Sequence, residues 1–390
     1  MCISFQAALP VPPLGDVSSR RGLASLGAIT FALVSIHGLR PQALAAQAPG
    51  VHPNPRYLDA PAPPAFTIAV SARPVAAPFR LAALARAAFG SESDSDAVLL
   101  GNIKAVALLP SGDVVVLDDV KSELRIFGPT GVPKQRLGRA GRGPGEFFNP
   151  LSLAVDTEGR LYVSDLAHTI QVFAPSPAGY RYLRTIQIEI SANAMCFLDT
   201  LLVVQGARFG QDTILHVYDR SGRVLRSFGA LYRSPNQLLN YQFGAGSIAC
   251  DAQRGLVLYA PGGAIGEVRA YRTDGALAWR TAVTGYRVKR IEDYRGGVRV
   301  SGAQGVHSVH AFVLLPGRGL LVQVAFRTEE AVRNQIPFTT LHSFLLDPAT
   351  GRPLPLGTAL PPIFAASGGE AVLAFNDPVP RFEVRGLQGP

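Results

Sequence analysis

The sequence lacks the motifs by which many enzymes and metal proteins are recognised. It contains no G-x-S-x-G motif, which excludes the nucleophile elbow of a serine hydrolase. The spacing of its seven histidines and three cysteines fits no zinc site. The acidic segment 91–96 lacks the ligand spacing of a calcium-binding loop. The sequence therefore predicts neither a metal nor a cofactor.

Helical patterns and aromatic residues are also scarce. Aromatic residues make up 8% of the chain and charged residues 17%, whereas glycine (40) and proline (31) are abundant. Few stretches show the period of an amphipathic helix, and short apolar runs broken by Gly, Pro, Asp and Ser dominate instead. With 47% hydrophobic residues the chain can bury a sizeable core. This pattern is typical of an all-β protein.

The chain carries a formal net charge of +9, mostly as scattered arginines. A basic surface can attract nucleic acid, anionic lipid or polyanionic sugar. No dense basic stripe with interleaved aromatic residues is present, which argues against a nucleic-acid partner. The charge is more typical of a soluble protein with an arginine-rich surface.

The first 45 residues resemble an export signal. Arg20 and Arg21 precede an apolar run at 22–36, and small residues follow at 43–48. A positive start, an apolar middle and a small-residue end are typical of a secretory signal peptide. The run is shorter than the ~20 residues of a membrane-spanning helix. We therefore expect a signal peptide at 1–45, and a periplasmic or extracellular protein with no transmembrane segment in its mature chain. The arginine pair is also compatible with the twin-arginine route.

A proline-rich segment follows the signal peptide. Residues 46–65 contain six prolines, and so many prolines cannot join the interior of a sheet. We interpret this segment as an extended spacer.

The rest of the chain contains a repeated pair of hairpins. In each repeat an apolar strand end is followed by turn residues and a glycine, and then by a new strand. These glycines are Gly131, Gly179, Gly222, Gly275 and Gly351. A second hairpin precedes most of them, as in the segments 108–117 and 155–163. Units of about 40 to 50 residues with four short strands are typical of propeller blades.

The first two units carry a more specific resemblance. These units contain the segment GRAGRGPGEF at 138–147, Pro150, and the later motifs Val155-Asp156, YVSD at 162–165 and IQVF at 170–173. Together these motifs resemble NHL-type propeller repeats. The resemblance covers about 85 residues well and fades after Gly285. Asp119 and Asp165 lie at matching positions, each eight residues before the phenylalanine of the following strand. The resemblance implies a six-bladed β-propeller of four-stranded antiparallel blades, similar to exported bacterial propellers, and it implies no single function.

The units account for five complete blades and part of a sixth. They begin near Ile103, Leu151, Ala194, Ser247 and His307. The segment 363–387 supplies two or three strands, and we expect a strand from 66–84, for example 79–81, to complete the sixth blade. Closing the ring in this way removes open sheet edges. The expected domain is 66–387. An extra hairpin near 287–300 is either an elaboration of the fifth blade or a partial seventh blade.

Two cysteines remain after removal of the signal peptide. Cys196 and Cys250 fall in the inner strands of neighbouring blades. Export permits a disulfide, but the sequence does not give the distance between them. Two separate buried thiols are the favoured interpretation.

Loops between the second and third strands, and the linkers between blades, emerge on the same face of a propeller. We expect any ligand to bind there, at the mouth of the central channel. The candidate binding residues on this face are Asp119, Arg139, Arg142, Asp165, His168, Arg208 and Asp212. The glycine-rich linker lacks the Lys-Ser or Lys-Thr of a phosphate-binding loop, so we interpret it as structural.

One pair among these candidates has two interpretations. A histidine near a carboxylate, such as His168 near Asp165, can act as a base. Capping of the loop backbone by Asp165 is the favoured interpretation. His307 and His310 are expected to lie on opposite faces of a strand.

The sequence therefore favours a non-catalytic binding or scaffolding propeller, monomeric, with a protein, peptide or glycan ligand. The alternative is a metal-dependent hydrolase or lyase at the channel mouth.

Overall fold

The computed structural model of the chain describes residues 63–390, except 91–98, 208–211, 231–243, 263–265, 289, 295–296, 302–304, 335, 337 and 378. The expected signal peptide at 1–45 and nearly all of the spacer at 46–65 lie outside the described residues. The elements described in full within these ranges are β-strands and one short helix.

Blades one to three are consecutive four-stranded antiparallel sheets. Blade one contains β4 (Ile103–Leu108), β5 (Val114–Asp118), β6 (Glu123–Phe127) and β7 (Pro133–Leu137). Blade two contains β8 (Pro150–Val155), β9 (Leu161–Asp165), β10 (Thr169–Ser176) and β11 (Gly179–Gln187). Blade three contains β12 (Ala194–Leu198), β13 (Leu201–Gln205), β14 (Thr213–Tyr218) and β15 (Val224–Ala230).

Blades four and five carry additions to the same plan. Blade four contains β16 (Gly246–Asp251), β17 (Leu256–Pro261), β18 (Glu267–Arg272) and β19 (Leu277–Thr284), with β1 (Phe66–Ala69) added in parallel to its outer strand. Blade five contains β22 (Val306–Leu315), β23 (Gly319–Arg327), β24 (Thr340–Leu346) and β25 (Pro353–Gly357), with helix α1 (Glu329–Arg333) between its second and third strands. Between these blades, β20 (Arg290–Tyr294) and β21 (Gly297–Ser301) pair only with each other. The extra hairpin is thus a separate insertion.

The sixth blade takes strands from both ends of the chain. It contains β26 (Ile363–Ser367), β27 (Glu370–Phe375) and β28 (Arg381–Gln388). Two short strands, β2 (Arg80–Leu81) and β3 (Ala87–Phe89), pair with the outer edge of β28. The expected closure by an amino-terminal strand is therefore confirmed.

The first strands of the six blades form a closed inner ring. Each packs against the first strand of the next blade, in the order β4, β8, β12, β16, β22, β26 and back to β4. Five clusters of buried apolar side chains lie between the blades. Since both faces of blade one are covered, its second strand is apolar without alternation over the fully buried segment Val114–Leu117.

The repeated glycines occupy the tight turns that the sequence pattern predicted. Gly131 and Gly222 adopt φ of 92° and 93°, a left-handed conformation that costs other residues energy. At Gly131 a Cβ atom would also overlap the ring of Phe89. Gly131 therefore serves both the turn and the closure of the ring.

A disulfide joins two neighbouring blades. Cys196 of β12 and Cys250 of β16 have their Cα atoms 5.6 Å apart and their sulfur atoms bonded. The expectation of two separate thiols was wrong, because the inner strands of neighbouring blades approach closely enough for a bridge.

Candidate functional site

The connections between strands differ sharply between the two faces of the propeller. On the face that we call the turn face, first strands connect to second strands and third strands to fourth, and the longest connection is the six-residue turn 347–352. The opposite face, which we call the loop face, carries the second-to-third-strand loops and the linkers between blades. Its connections include 138–149 and 328–339, with twelve residues each. The loop face is the face on which the candidate residues were expected.

Asp118 and Asp165 hold the loop face of the first two blades in the same way. Each carboxylate is buried at the end of a second strand. Asp165 accepts hydrogen bonds from the backbone N–H groups of Phe148, Ala167 and Thr169 and from the Thr169 hydroxyl. Such bonds fix the linker before the blade and the turn after the strand, so the geometry matches the capping interpretation of Asp165.

The match between Asp119 and Asp165 was wrong by one residue. Asp118, not Asp119, ends its strand and accepts hydrogen bonds from backbone N–H groups of Gly101 and Lys121. The loop between β5 and β6 is one residue longer than the loop between β9 and β10. Counting back eight residues from the phenylalanine of the third strand therefore reaches Asp119 in blade one, but reaches the strand-end Asp165 in blade two.

Asp119 instead lies beside a lysine of the inner ring. Its carboxylate accepts a hydrogen bond from Asn102 Nδ2 at 2.6 Å and lies 3.9 Å from Lys104 Nζ. The Lys104 side chain is only 12% exposed, and burial lowers its pKa although Asp119 opposes the shift. The sequence analysis did not single out Lys104.

Lys104 is the extra residue of a β-bulge, and three further inner strands carry a bulge at the same end. The register shifts between residues 103 and 105, 150 and 152, 309 and 311, and 363 and 365. The bulged residues are Lys104, Leu151, His310 and Phe364. Bulges often re-aim a side chain beside a functional site, and no sequence pattern predicted them.

The glycine-rich linker is held by its own side chains. Glu146 accepts a hydrogen bond from the Gly143 backbone N–H at 2.9 Å and pairs with Arg139, whose nearest nitrogen is at 2.7 Å. The Gly143 bond, then the Arg139 bond, lowers the pKa of Glu146. Arg142 is exposed, and its guanidinium carbon lies 3.8 Å from the centre of the Phe148 ring. Arg139 is thus committed to the linker, whereas Arg142 presents its charge on the loop face.

The remaining candidates are spread around the loop face. His168 is exposed in the turn after β9, with a left-handed φ of 60°. Asp212 is exposed just before β14, on the next blade. Arg208 lies outside the described residues. The described candidates lie on the loop face of blades one to three and on the linker between the first two blades.

A cluster that the sequence analysis left out lies on the loop face of blade five. The His307 ring is 4.8 Å from Phe326, 5.3 Å from Tyr286 and 6.1 Å from His342, measured between ring centres. Its Nδ1 accepts a hydrogen bond from the Arg287 backbone N–H. Burial, followed by the charges of His342 and Arg287, lowers the pKa of His307 to about 4. His307 is therefore neutral at pH 7.

His310 faces the other neighbour of the same blade. Its ring is 5.0 Å from Phe338 and 5.2 Å from Phe364 of blade six. The contacts confirm that His307 and His310 point to opposite faces of β22. Burial, and then the charge of Arg327, lowers the pKa of His310 to about 4, and burial also lowers the pKa of Arg327.

Within the described ranges, no group of three or more His, Cys, Asp or Glu side chains is placed to hold a metal ion. In the same part of the chain, no helix has the length and apolar character needed to cross a membrane.

Comparison with known proteins agrees with this architecture. A family model described as a 6-bladed beta-propeller matches residues 93–202. A Bacteroides fragilis protein, named as a candidate exported protein, is similar in structure with a TM-score of 0.55 and 12% identity, over 83% of this chain and 99% of that one. A member of the DUF4221 family from Bacteroides vulgatus gives a TM-score of 0.51 and 10% identity, over 80% and 99%. No curated protein has significant sequence similarity to the chain.

At these identities the similarity concerns the fold alone. Together with the six blades and the closed inner ring, it defines the class: the chain is a six-bladed β-propeller.

Proposed function

We propose that the chain is an exported, NHL-like propeller that binds or scaffolds a protein, peptide or glycan through its loop face. The propeller supplies a rigid scaffold, and the loops on one face supply the contacts. No catalytic step is assigned to it.

One observation carries this proposal, namely the difference between the two faces. Between consecutive strands of the blades, the turn face has turns of at most six residues, whereas the loop face carries longer connections such as 138–149 and 328–339. Binding residues are found disproportionately on loops positioned by a rigid scaffold. A purely structural propeller would have no need of long connections on one side only.

The side chains of the loop face suit a polar ligand. Arg142 presents a charged, planar group on top of Phe148, and His168 is exposed on the neighbouring turn. Arginine and aromatic groups are enriched in binding interfaces because they combine apolar area with directional hydrogen bonds. An exposed guanidinium suits a carboxylate or a sugar hydroxyl.

Export is supported by several independent features. The segment 1–45 has the pattern of a signal peptide. Disulfides such as Cys196–Cys250 persist mainly in oxidising compartments. The Bacteroides fragilis protein of similar fold is itself named as a candidate for export.

Binding arrays test the proposal. The purified protein is applied to immobilised glycans and peptides, and the strongest ligand is measured again with two variants. We expect Arg142→Ala to weaken binding by roughly tenfold, because a charge-assisted hydrogen bond is lost. Arg272→Ala, which removes an exposed arginine from the turn face, is the matched control and should change nothing. Equal loss with both variants, or a stoichiometric tightly bound metal in the purified protein, would contradict the proposal.

A further inference from the structure

A cavity of about 220 Å³ opens at the other end of the central channel, on the turn face. Its walls come from the last residues of the inner strands of blades two to five and from the turns that follow them. The apolar wall includes Val155, Phe197, Ala249, Val313 and Leu314. The cavity is therefore separate from the loop-face residues described above.

The disulfide forms part of this wall. Both Cys196 and Cys250 line the cavity, and their bond joins the inner strands of two of the four contributing blades. A wall held covalently loses little conformational freedom when a ligand enters, which favours binding.

Two aspartates line the cavity, and the carboxylate of one of them already accepts several hydrogen bonds from the protein. Asp156 accepts hydrogen bonds from the Glu158 and Arg160 backbone N–H groups, from Arg160 Nε and from the Tyr162 hydroxyl. These bonds hold the turn after β8. Asp156 therefore has little capacity left for a ligand.

Asp199 differs from Asp156 in its exposure and in its hydrogen bonding. It is exposed in the turn after β12, and its backbone has a left-handed φ of 51°. Within the described part of the chain its carboxylate has no hydrogen bond or ion pair. Asp199 thus leaves one uncommitted negative charge beside an apolar wall.

The turns 156–160 and 252–255 carry lining residues, and each holds an arginine that is paired with a carboxylate. Arg160 pairs with Asp156 at 2.7 Å, and Arg254 pairs with Asp251 at 2.9 Å. Among the described strands, the inner strands pair on one side only, and their free edges turn carbonyl acceptors, together with N–H donors, toward the channel. The cavity mouth therefore favours a cation, although the chain as a whole carries a net charge of +9.

We propose that this cavity binds a small organic cation, a primary ammonium group on a short apolar body. The apolar body packs against Val155, Phe197 and Leu314 and loses contact with water. The ammonium donates to Asp199 and to carbonyl oxygens at the channel edge. Pockets with mostly apolar walls and a few placed polar groups bind small molecules in this manner.

Titration calorimetry with n-butylammonium as the probe tests the proposal. n-Butanol and butyrate serve as neutral and anionic probes of similar shape. We expect n-butylammonium to bind at least roughly tenfold more tightly than n-butanol, and butyrate to bind least, because only the cation gains a charged partner.

Two variants locate the site. Asp199→Asn should weaken n-butylammonium binding by roughly tenfold. Asparagine tolerates a left-handed backbone as aspartate does, so the turn should keep its shape. Asp377→Asn, which removes an exposed carboxylate from the loop face, should leave binding unchanged. Ala252→Trp places a large side chain at the exposed rim of the cavity and should abolish binding without disturbing the core.

The proposal is overturned if n-butylammonium and n-butanol bind equally, if no probe binds, or if binding survives both Asp199→Asn and Ala252→Trp. None of these outcomes bears on the loop-face proposal, whose test uses different ligands and different variants.

Discussion

The ring of Phe89 packs against the ring of Phe382, with 4.8 Å between their centres. Phe89 belongs to β3 near the start of the described chain, and Phe382 belongs to the last strand. Phe89 also stacks at 5.4 Å on Phe127 of blade one. One side chain therefore connects both ends of the chain to the first complete blade.

Replacing this ring should weaken the whole propeller. We expect Phe89→Ala to lower the free energy of unfolding by about 3 kcal/mol, because contacts with two buried rings are lost and a cavity remains. Urea unfolding followed by circular dichroism measures the change. Leu84→Ala, at an 85% exposed position of the same segment, is the control and should change stability by less than about 0.5 kcal/mol. Equal stability of both variants would show that the amino-terminal strands do not close the ring.

Removal of the disulfide gives a second prediction. The bond joins cysteines 54 residues apart in sequence. We expect the double variant Cys196→Ser/Cys250→Ser to lose about 2–4 kcal/mol of unfolding free energy, because the unfolded chain is no longer cross-linked. Thermal melting with and without dithiothreitol measures it. The reductant should destabilise the native protein and leave the double variant unaffected. A native protein that is insensitive to reductant, with two free thiols by Ellman assay, would contradict the bond.

The capping role of Asp165 gives a third prediction. Asp165→Ala should cost about 3 kcal/mol of stability, because it leaves buried N–H groups of the linker and the turn without acceptors. His168→Asn should leave stability within about 0.5 kcal/mol, since His168 is exposed and asparagine tolerates its backbone conformation. Chemical denaturation of both variants measures the difference. A stable Asp165→Ala protein would favour the alternative in which the carboxylate serves a ligand or a reaction.

His310 of β22 gives a prediction about pH. Its pKa falls from 6.5 to about 4 in the folded protein. The unfolded state therefore binds the proton more readily between these values, and stability should fall as pH is lowered from 6.5 to 4. The slope for one such group is at most about 1.4 kcal/mol per pH unit.

Substitution separates this contribution from those of other groups. His310→Phe keeps an aromatic ring between Phe338 and Phe364 and removes the titrating group. Its stability should decline less steeply than that of the native protein between pH 6.5 and pH 4. His168→Asn is the control and should retain the native slope. Parallel curves for His310→Phe and the native protein would contradict the assignment.

Much of the fold was accessible from the sequence because it is repetitive. Glycines such as Gly131 and Gly222 mark turns that require a left-handed backbone. This requirement depends only on residues close in sequence, so the turns can be recognised from the sequence alone. The closure of the ring followed from counting strands, since the segment after residue 363 was one strand short. The disulfide was missed because its formation depends on the spacing between blades, a tertiary distance that sequence separation does not give.

The residues of the candidate site were harder to predict from the sequence, for a related reason. His307, Phe326 and His342 lie on three successive strands, and Tyr286 lies in the preceding linker, so they meet only after blade five has folded. The bulge at His310 interrupts the strict alternation from which strand faces are inferred. Asp119, rather than Asp118, was matched to Asp165 because loop lengths vary between blades. In each case the missing information was geometric.

The double origin of the sixth blade also has a consequence for biogenesis. Apart from β1, which is added to blade four, blades one to five are built from neighbouring segments of the chain. The strands at 80–81 and 87–89 have no partner until residues 381–388 have been made. The ring therefore cannot close before residues 381–388 have been synthesised, and loss of these residues would leave β2, β3 and the outer edge of β27 without a partner strand.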